Sequence, residues 1–472
     1  MNKKCQVFTP YEKVIELLDK VGYTKNLYGK KVIENACGDG NILKEIVGRY
    51  ILDSLNKNMD LDTIKIGLEN DIYGAEIDKE HYENCIKNLE GIANKYNIFN
   101  VSWKILNTDI LKEDLKVKFD YVIGNPPYIT YRDLDLGTRI FLKEKYYVCT
   151  EGKFDYCYAF IEASINSLND TGKLAYLIPN SIFKNVFAQK LREIISPCLT
   201  KIYDYTTEKL FSVLTSSAVI VIDKEKKQDF IEYHDIVNNR QYTINKCQLG
   251  CKWNFSEYIS NTKVNTGKIK FSDYFTASIS VATLFNKAFV LKNSNTNGNY
   301  ITLNGFNIEK EVTRNAASPR LLNCGKKELI IFPYRYLNGK LIRYNEEEFQ
   351  ENYPQTVEYL KSFLDELKKR KSDKSSRWYE YGRSQALAHL NQEKLLLSTV
   401  VTKEVKVYHL DTETIPYSGI YITAKGKLPL SVAKNILQSE EFYNYVNGIG
   451  INANGISLRI TPADINNYRF SL

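Results

Sequence analysis

The chain has 472 residues, which is too many for one ordinary hydrophobic core, so two domains are expected. Hydrophobic residues make up 43% and charged residues 25% of the chain, as in typical globular proteins, and no apolar run approaches the ~18–20 residues of a membrane-spanning helix, which excludes that class. The net charge of +8 permits a polyanionic partner without demanding one, because a small positive excess also serves solubility.

Segments with strand and helix patterns alternate from the start of the chain to about residue 224. The predicted strands lie in KKVIEN, DIYGAEID, VSWKILNTDIL, KFDYVIGNPPY, GKLAYLIP, LTKIYDYT and SSAVIVIDK. Apolar residues at helical spacing lie between them, as in NILKEIV, FDYCYAFIEASINSL and QKLREII, the last of which ends before Pro197. This alternation predicts an α/β fold with a doubly wound, mostly parallel sheet.

The alternating pattern weakens after about Lys224. Residues 225–270 are polar and mixed, and we interpret them as a connection between domains. From about residue 271 the chain is rich in Asn, Tyr, Lys and Gly, with short strands and irregular loops, which predicts a separate α+β domain. We therefore expect a first domain over residues 1–245 and a second domain over residues 246–472.

Acidic residues end successive predicted strands of the first domain, and a glycine turn, ENACGDG, joins the first strand to its helix. Such a turn lets backbone N–H groups approach a nucleotide, although a plain strand-to-helix turn has the same pattern. The acids are Glu34, Asp39, Glu76 and Asp109. Four carboxylates around a phosphate would be strongly unfavourable, whereas S-adenosylmethionine offers a sulfonium, an ammonium, ribose hydroxyls and no phosphate. We expect Glu76 to accept from the ribose hydroxyls and Asp109 from the adenine amino group.

Five short motifs occur in the order QVFTPYEKV, VIENACGDG, YGAEID, NTDIL and IGNPPYIT. With these motifs, residues 5–223 resemble the gamma-class DNA adenine-N6 methyltransferases, the TaqI-like and Eco57I-type family of restriction-modification methylases. The resemblance implies the class I S-adenosylmethionine-dependent methyltransferase fold, followed by a target-recognition domain. It also implies a cofactor site formed by Thr9, Pro10, Glu34, Ala36, Gly38, Glu76, Ile77, Asp109, Ile110 and Asn125. Asn35 departs from the family pattern, which usually has a small residue or proline there.

The resemblance makes Asn125, Pro126, Pro127 and Tyr128, together with Phe211, the catalytic residues. The two prolines cannot donate to a sheet ladder, so they leave carbonyl groups at the end of the fourth predicted strand. The Asn125 side-chain oxygen and the Pro126 carbonyl are suited to accept the two hydrogens of an adenine amino group, which localises the nitrogen lone pair. Tyr128 and Phe211 would stack on the two faces of an adenine flipped out of a duplex.

The NPPY motif alone does not define the substrate. Methyltransferases that act on glutamine N5 of release factors or on adenine in RNA share it, because a planar amide nitrogen has the same delocalised lone pair. The release-factor enzymes are shorter and carry a helical domain in front, whereas this chain begins its cofactor fold near residue 5 and continues far beyond it. DNA adenine is therefore the favoured substrate, with RNA adenine or protein glutamine as the alternative. A fully inactive DNA-binding module is disfavoured by the intact motifs.

A basic and aromatic segment of the second domain, KSFLDELKKRKSDKSSRWYEYGRSQ, is the main candidate for DNA contact. Arginine suits guanine and glutamine suits adenine in the major groove. The alternative is a solvated helix face beside buried aromatic residues, which is the usual meaning of a charge run. The expected DNA contacts are Arg383, Gln385, Trp378 and Tyr381, joined by Arg335 and Lys340 from a hairpin predicted around Asn338-Gly339.

The remaining expectations concern location and partners. Nine scattered cysteines favour reduced thiols in a cytosol, and with only four histidines and no finger spacing they predict no metal site. The first residues, MNKKCQVFTP, lack the apolar core of a signal peptide. We expect a monomer whose partner is double-stranded DNA. No Pro-Asp pair occurs to begin a PD…(D/E)xK nuclease centre, so a cognate restriction endonuclease would be encoded separately.

Overall fold

The structure is a computed structural model that describes residues 9–205, 217–255, 265, 267–426, 428–454 and 457–471. The chain divides into two compact units, Met1–Ser260 (unit 1) and Asn261–Leu472 (unit 2). The division expected from the sequence lies fifteen residues earlier, at 245/246. Within the ranges given above, no helix combines the length and the apolar character needed to cross a membrane.

Unit 1 is built on a sheet that, in the described residues, has nine strands in the order β3-β2-β1-β4-β5-β7-β6-β8-β9. The strands are β1 (Val32–Glu34), β2 (Ile72–Glu76), β3 (Lys104–Asn107), β4 (Phe119–Gly124), β5 (Leu168–Pro179), β6 (Leu199–Asp204), β7 (Ser217–Asp223), β8 (Phe230–Asp235) and β9 (Arg240–Asn245). Strands β1 to β5 pair in parallel, and β7 runs antiparallel between β5 and β6. The predicted α/β fold with a mostly parallel sheet is confirmed.

Helices cover both faces of this sheet. They are α1 (Tyr11–Val21), α2 (Asn41–Leu55), α3 (Leu61–Asp71), α4 (Lys79–Asn94), α5 (Leu136–Lys145), α6 (Tyr156–Ser167) and α7 (Gln189–Ile195), with short 3-10 helices at Tyr147–Cys149, Asn180–Phe183, Val186–Ala188 and Lys246–Gln248. Adjacent residues of a strand face opposite cores: Val32 packs with α1 to α4, whereas Ile33 packs with α5 to α7. Because both faces are covered, β7 is buried along its whole sequence, SAVIVID.

Strands β8 and β9 extend the sheet of unit 1 beyond residue 224, where the predicted α/β pattern ends. Strand β8 pairs in parallel with β6, and β9 pairs antiparallel with β8, so the interpretation of 225–270 as a connection is wrong over residues 230–245. Farther along, Trp253 stacks on Phe183 with ring centroids 6.1 Å apart. The sequence does not indicate β8 because this strand lies near the edge of the sheet. Only alternate residues such as Ile231 and Tyr233 are buried there, so the strand contains no continuous apolar run.

Unit 2 combines short strands and helices, which confirms the predicted α+β class. Its strands are β10 (Ile269–Lys270), β11 (Phe275–Ile279), β12 (Val290–Leu291), β13 (Asn295–Asn297), β14 (Tyr300–Leu303), β15 (Phe306–Glu309), β16 (Thr313–Ala317), β17 (Glu328–Ile331), β18 (Tyr334–Leu337), β19 (Lys340–Arg343), β20 (Lys394–Leu397), β21 (Val400–Val401), β22 (Val407–Leu410), β23 (Ile415–Pro416), β24 (Ile420–Ala424), β25 (Ile451–Asn454), β26 (Ser457–Arg459) and β27 (Arg469–Phe470). Its helices are α8 (Phe271–Tyr274), α9 (Asn286–Phe289), α10 (Pro319–Asn323), α11 (Glu346–Asn352), α12 (Pro354–Lys361), α13 (Leu364–Lys368), α14 (Leu430–Gln438), α15 (Glu440–Ile449) and α16 (Pro462–Asn467), with 3-10 helices at Lys310–Val312 and Leu387–His389.

The strands of unit 2 form several small, mostly antiparallel sheets in the described residues. The predicted hairpin is one of them: β18 pairs with β19 through Asn338-Gly339. Both turn residues have positive φ, 50° and 75°, which is the conformation that Asn-Gly favours in a two-residue turn.

Candidate functional site

A cavity of about 450 Å³ lies in unit 1 at the carboxyl ends of β1, β2, β3 and β4. Open α/β sheets bind their ligands at this edge. Of the residues predicted from the sequence, the cavity is lined by Thr9, Glu34, Ala36, Gly38, Glu76, Ile77, Asp109, Ile110, Asn125, Pro126, Pro127 and Tyr128. Pro10 lies at the start of α1, and Phe211 lies outside the described residues. The structure therefore brings most of the predicted cofactor and catalytic residues to one cavity.

The glycine turn between β1 and α2 forms one wall of this cavity. Gly38 has a φ of 51°, and its N–H donates to Glu76 Oε2 at 2.9 Å. The second carboxylate oxygen, Glu76 Oε1, accepts from the N–H of Asp78 at 2.9 Å. Gly40 also has positive φ, and a Cβ at this position would lie 2.7 Å from the sulfur of Cys85. The turn thus needs glycine, and its N–H helps to hold the Glu76 carboxylate at the end of β2.

Glu34 ends β1, and its carboxyl group is buried beside the cavity. Its Oε2 atom accepts a hydrogen bond from the N–H of Leu43 at 3.2 Å. Burial raises the pKa of this carboxyl group well above its ordinary range. A cation bound in the cavity would favour the ionised form of Glu34, because opposite charges lower the pKa of a carboxyl group.

Asp109 and two isoleucines line the part of the cavity next to β2 and β3. Asp109 Oδ1 accepts from the N–H of Leu111 at 3.3 Å, which fixes the carboxylate just beyond β3. Ile77 is 45% exposed, and Ile110 is partly buried. A hydrogen-bond acceptor beside apolar side chains is a suitable environment for a flat ring that carries an amino group.

The Asn125–Tyr128 segment follows β4 and is held by contacts at both ends. At one end, Asn125 Nδ2 donates to Thr9 Oγ1 at 3.3 Å. At the other end, the Tyr128 hydroxyl donates to the carbonyl of Leu177 in β5 at 2.8 Å. Burial raises the pKa of this hydroxyl well above its ordinary range, so it stays protonated and keeps its donor. These contacts orient the Asn125 amide and the Tyr128 ring at the cavity wall.

Helices α4 and α6 bring residues to the cavity that the sequence motifs do not indicate. His81 of α4 lies beside the glycine turn, where its Nδ1 is 2.7 Å from Asp39 Oδ1, and this hydrogen bond raises the pKa of His81. Tyr156 and Phe160 of α6 are buried and form an apolar wall. The two aromatic residues are four positions apart, as residues on one helix face must be, but the same spacing also describes an ordinary core helix.

Asp155→Asn is expected to raise the stability of unit 1 at neutral pH but not near pH 4. Asp155 caps α6, where its carboxylate accepts from Cys157 N at 3.2 Å, and burial raises its pKa from 3.8 to about 6. The folded protein therefore binds more protons than the unfolded chain between these values, so the free energy of unfolding falls as pH rises through this window. Asparagine does not titrate. The difference between variant and wild type should grow by roughly 2–3 kcal/mol from about pH 4 to pH 7, measured by urea unfolding.

The matched control is Asp135→Asn. Asp135 caps α5 in the same way, but hydrogen bonds from Thr138 lower the pKa of its carboxyl group. Its replacement should therefore reduce stability at neutral pH, with little effect below the pKa of the folded state. A stability difference for Asp155→Asn that is equal at both pH values would contradict the role of burial.

The predicted DNA-contacting residues of unit 2 occupy different environments. Arg383, Gln385, Arg335 and Lys340 are exposed. Trp378 is partly buried, and its indole N–H donates to Glu346 Oε1 at 2.8 Å.

Tyr381 is fully buried, unlike the other predicted contacts. Its hydroxyl donates to the carbonyl of Ile331 at 2.7 Å, and its ring packs edge-on against Phe289 and Tyr334. This burial corrects the expectation that Tyr381 touches DNA, because its side chain belongs to the core of unit 2.

Comparison with protein-family models gives a match over residues 25–211 to the family described as Eco57I restriction-modification methylase. The Type II restriction enzyme and methyltransferase RM.Eco57I of Escherichia coli is 25% identical over 371 residues, which is 68% of this chain and 37% of the relative. The Type II methyltransferase M.BstVI of Geobacillus stearothermophilus is 28% identical over 193 residues, 38% of this chain and 34% of the relative. The chain thus matches little more than a third of the length of these two relatives. The family resemblance predicted from the motifs is confirmed.

Two solved structures share the fold along nearly the whole chain. The Type IIL restriction-modification enzyme MmeI, solved in complex with DNA, matches 97% of this chain and 65% of its own with a TM-score of 0.63 and 13% identity. A nuclease-deletion mutant of the Type ISP restriction-modification enzyme LlaGI, in complex with a DNA substrate mimic, matches 94% of this chain and 44% of its own with a TM-score of 0.53 and 14% identity. At these identities the likeness concerns the fold.

Proposed function

We propose that this chain, whose residues 25–211 match the Eco57I restriction-modification methylase family, is a sequence-specific DNA methyltransferase. It transfers a methyl group from S-adenosylmethionine to the exocyclic N6 of an adenine flipped out of duplex DNA, within a restriction-modification or epigenetic system. One observation carries the proposal. The Asn125–Tyr128 segment lines the same cavity as Glu34 and Glu76, which end β1 and β2, and Asp109, which lies two residues beyond β3.

The charge of the cavity suits S-adenosylmethionine. Four acidic residues line it, Glu34, Glu76, Asp78 and Asp109, and no lysine or arginine is among its described lining residues. A phosphate would be repelled there, whereas a sulfonium and an ammonium would be attracted. The bound cofactor supplies a methyl carbon that is electrophilic because it is attached to a positively charged sulfur.

Separate parts of the cavity would hold separate parts of the cofactor. Glu76, already held by two backbone N–H groups, accepts from the ribose hydroxyls. Asp109 accepts from the adenine amino group while Ile77 and Ile110 contact the ring. Thr9 and Pro10 lie at the methionine end.

Asn125 and Pro126 activate the substrate nitrogen. The amino group of adenine is a weak nucleophile because its lone pair is delocalised into the ring. Asn125 Oδ1 and the Pro126 carbonyl accept its two hydrogens, so the nitrogen becomes more tetrahedral and its lone pair points at the methyl carbon. The hydrogen bond from Asn125 Nδ2 to Thr9 selects the oxygen edge of the amide for this role. Holding both reactants in line accelerates the transfer. The new N–C bond would form as the bond between the methyl carbon and the sulfonium sulfur breaks, which leaves a neutral thioether, and the methylated nitrogen would release one proton to water.

Tyr128 and Phe211 replace the stacking that the flipped adenine loses. Stacking on an aromatic ring contributes ~1–3 kcal/mol per base. The Tyr128 ring is already held by its hydroxyl bond to β5, so it provides a fixed face for the purine. The family resemblance assigns the opposite face to Phe211, which lies outside the described residues.

Unit 2 then serves as the target-recognition domain for double-stranded DNA, since phosphate contacts alone carry no sequence information. The fold shared with MmeI, which covers both units of this chain, supports this assignment. We further propose that the protein acts as a monomer and that a cognate restriction endonuclease is encoded separately.

The test is to incubate the purified chain with labelled S-adenosylmethionine and, in separate reactions, duplex DNA, RNA or a release factor. We expect label in DNA only, on adenine N6 when the product is digested to nucleosides. Label in RNA or protein alone would replace this proposal with one of the alternatives that share the NPPY motif. Sequencing of modified bases in DNA from cells that express the gene then identifies the target site.

A further inference from the structure

One carboxylate of unit 2 holds two of the side chains that the sequence singled out for base contact. Asp373 Oδ1 accepts from Arg383 Nη1 at 2.5 Å, and Asp373 Oδ2 lies 3.4 Å from Gln385 Nε2. The N–H of Ser384, between them, also donates to Oδ2 at 3.3 Å. Arg383 and Gln385 therefore project side by side from one anchored point.

The backbone that carries these side chains is fixed by buried neighbours. The N–H of Asp373 donates to the carbonyl of Gly382 at 2.9 Å, and the N–H of Arg383 donates to the carbonyl of Ala282 at 3.1 Å. Arg370 adds a side-chain bond to the carbonyl of Thr283 at 2.6 Å. The loop is therefore already ordered before a partner binds, so binding does not cost the entropy of ordering it. Such a preorganised loop suits recognition by directional hydrogen bonds.

The core side of the same loop is equally constrained. Glu380 is 1% exposed and accepts from Arg343, and the flanking rings of Tyr379 and Tyr381 are fully buried. This explains the mixed composition of WYEYGRSQ, in which the first part builds the core and the last part reaches the surface.

The exposed ends of Arg383 and Gln385 border a second cavity of about 390 Å³ within unit 2. Ser278, Ser280, His389 and Tyr421 line it as well, so its wall is rich in hydrogen-bonding groups. The Arg383 side chain is 47% exposed, whereas Asp373 beneath it is 18% exposed. The contact with Asp373 uses Nη1, and a guanidinium carries N–H groups on two further nitrogens.

The electrostatics of the pair favour a base over a phosphate. Asp373 offsets the positive charge of Arg383, so the pair attracts a phosphate only weakly at a distance. The directional N–H groups remain, and two of them match the O6 and N7 acceptors of guanine in the major groove.

We propose that Asp373 is a positioning residue that presents Arg383 to a guanine of the recognition sequence, with Gln385 beside it for the neighbouring base. This inference rests on the proposed methylation of DNA. Gln385 keeps its Oε1 and a second Nε2 hydrogen, the pattern that pairs with adenine N6 and N7.

The test uses wild type, Arg383→Ala, Arg383→Lys and Asp373→Asn with S-adenosylmethionine and a library of randomised DNA duplexes, whose methylated members are sequenced. Wild type should demand guanine at one position of its site. Both Arg383 variants should relax that position by about 10–100-fold and leave the other positions unchanged. Asp373→Asn should relax the same position less, and adding it to Arg383→Ala should cause no further change at that position, because there it acts through Arg383.

Arg314→Ala is the matched control, since Arg314 also lies in unit 2 and its Nε is 2.9 Å from a carboxylate oxygen, that of Glu413. It should leave the recognised sequence unchanged. Retention of full discrimination at every position by both Arg383 variants would overturn the inference alone. Absence of any methylated DNA with wild type would overturn the proposed function and this inference with it.

Discussion

Asn125→Ala is expected to slow methyl transfer by about 10²–10³-fold, the usual effect of removing one preorganised hydrogen bond to a reacting group. Asn125 directly follows β4 and is oriented by Thr9, so its oxygen acts on the amino group without needing to be rearranged. The variant should still bind the cofactor, because Glu76 and Asp109 remain in place. Single-turnover transfer of label to duplex DNA measures the rate, and equilibrium dialysis measures the binding.

Two further variants sharpen this prediction. Thr9→Val keeps the shape of residue 9 but removes the acceptor for Asn125 Nδ2, so the rate should fall by about 10-fold through misorientation of the amide. Asn169→Ala is the control, because it also replaces an asparagine by alanine but lies at the opposite end of the β4–β5 pair. Asn169 Nδ2 donates to Asp120 there, and its replacement should leave the rate of methyl transfer unchanged. An Asn125→Ala protein with a normal single-turnover rate would contradict the catalytic role.

Arg192→Met is expected to destabilise unit 1 by about 3–5 kcal/mol, because each buried carbonyl left without its donor costs roughly 1–3 kcal/mol. The guanidinium is only 3% exposed and donates to the carbonyls of Ile182, Asn185 and Cys251. Methionine fills much of the space but leaves these carbonyls without their donor. Urea unfolding, followed by fluorescence of Trp253 in a chain with Trp103→Phe and Trp378→Phe, measures the change.

Lys190→Met provides the comparison on the same helix. Lys190 lies two residues before Arg192 in α7, but its partner Glu151 is largely exposed. Exposed ion pairs of this type contribute little to stability. The unfolding midpoint should therefore stay near that of the parent chain. Equal midpoints for the two variants would show that the three carbonyl contacts of Arg192 do not hold unit 1 together.

The cofactor half of the candidate site could be predicted because its residues lie at strand ends. Buried parallel strands are short apolar runs, so the acids at their ends, such as Glu34 and Glu76, are easy to place at one edge of a sheet. His81, Tyr156 and Phe160 could not be predicted in this way. They reach the cavity from helices, and which helical face meets a cavity depends on how the helix packs against the sheet.

In unit 2 the composition of WYEYGRSQ did not indicate which of its residues are exposed and which are buried. Trp378, Tyr381 and Arg383 occur within six residues, yet Tyr381 is enclosed by other aromatic rings while Arg383 is exposed. Segments rich in aromatic and basic residues occur both on nucleic-acid-binding surfaces and in packed cores that contain paired arginines. Only the tertiary contacts show which of the two environments a given residue occupies. The strands β8 and β9 escaped prediction for a similar reason, since a partly exposed strand carries too few apolar residues to stand out.

The placement of β7 has a consequence for biosynthesis. This strand separates β5 from β6 although it follows both in the chain. A ribosome releases β5 and β6 first, so the growing sheet has an open slot with two unpaired edges until residues 217–223 emerge. Exposed edges of this kind invite pairing with other chains. Until that strand emerges, the newly made chain exposes two strand edges with which other chains could pair.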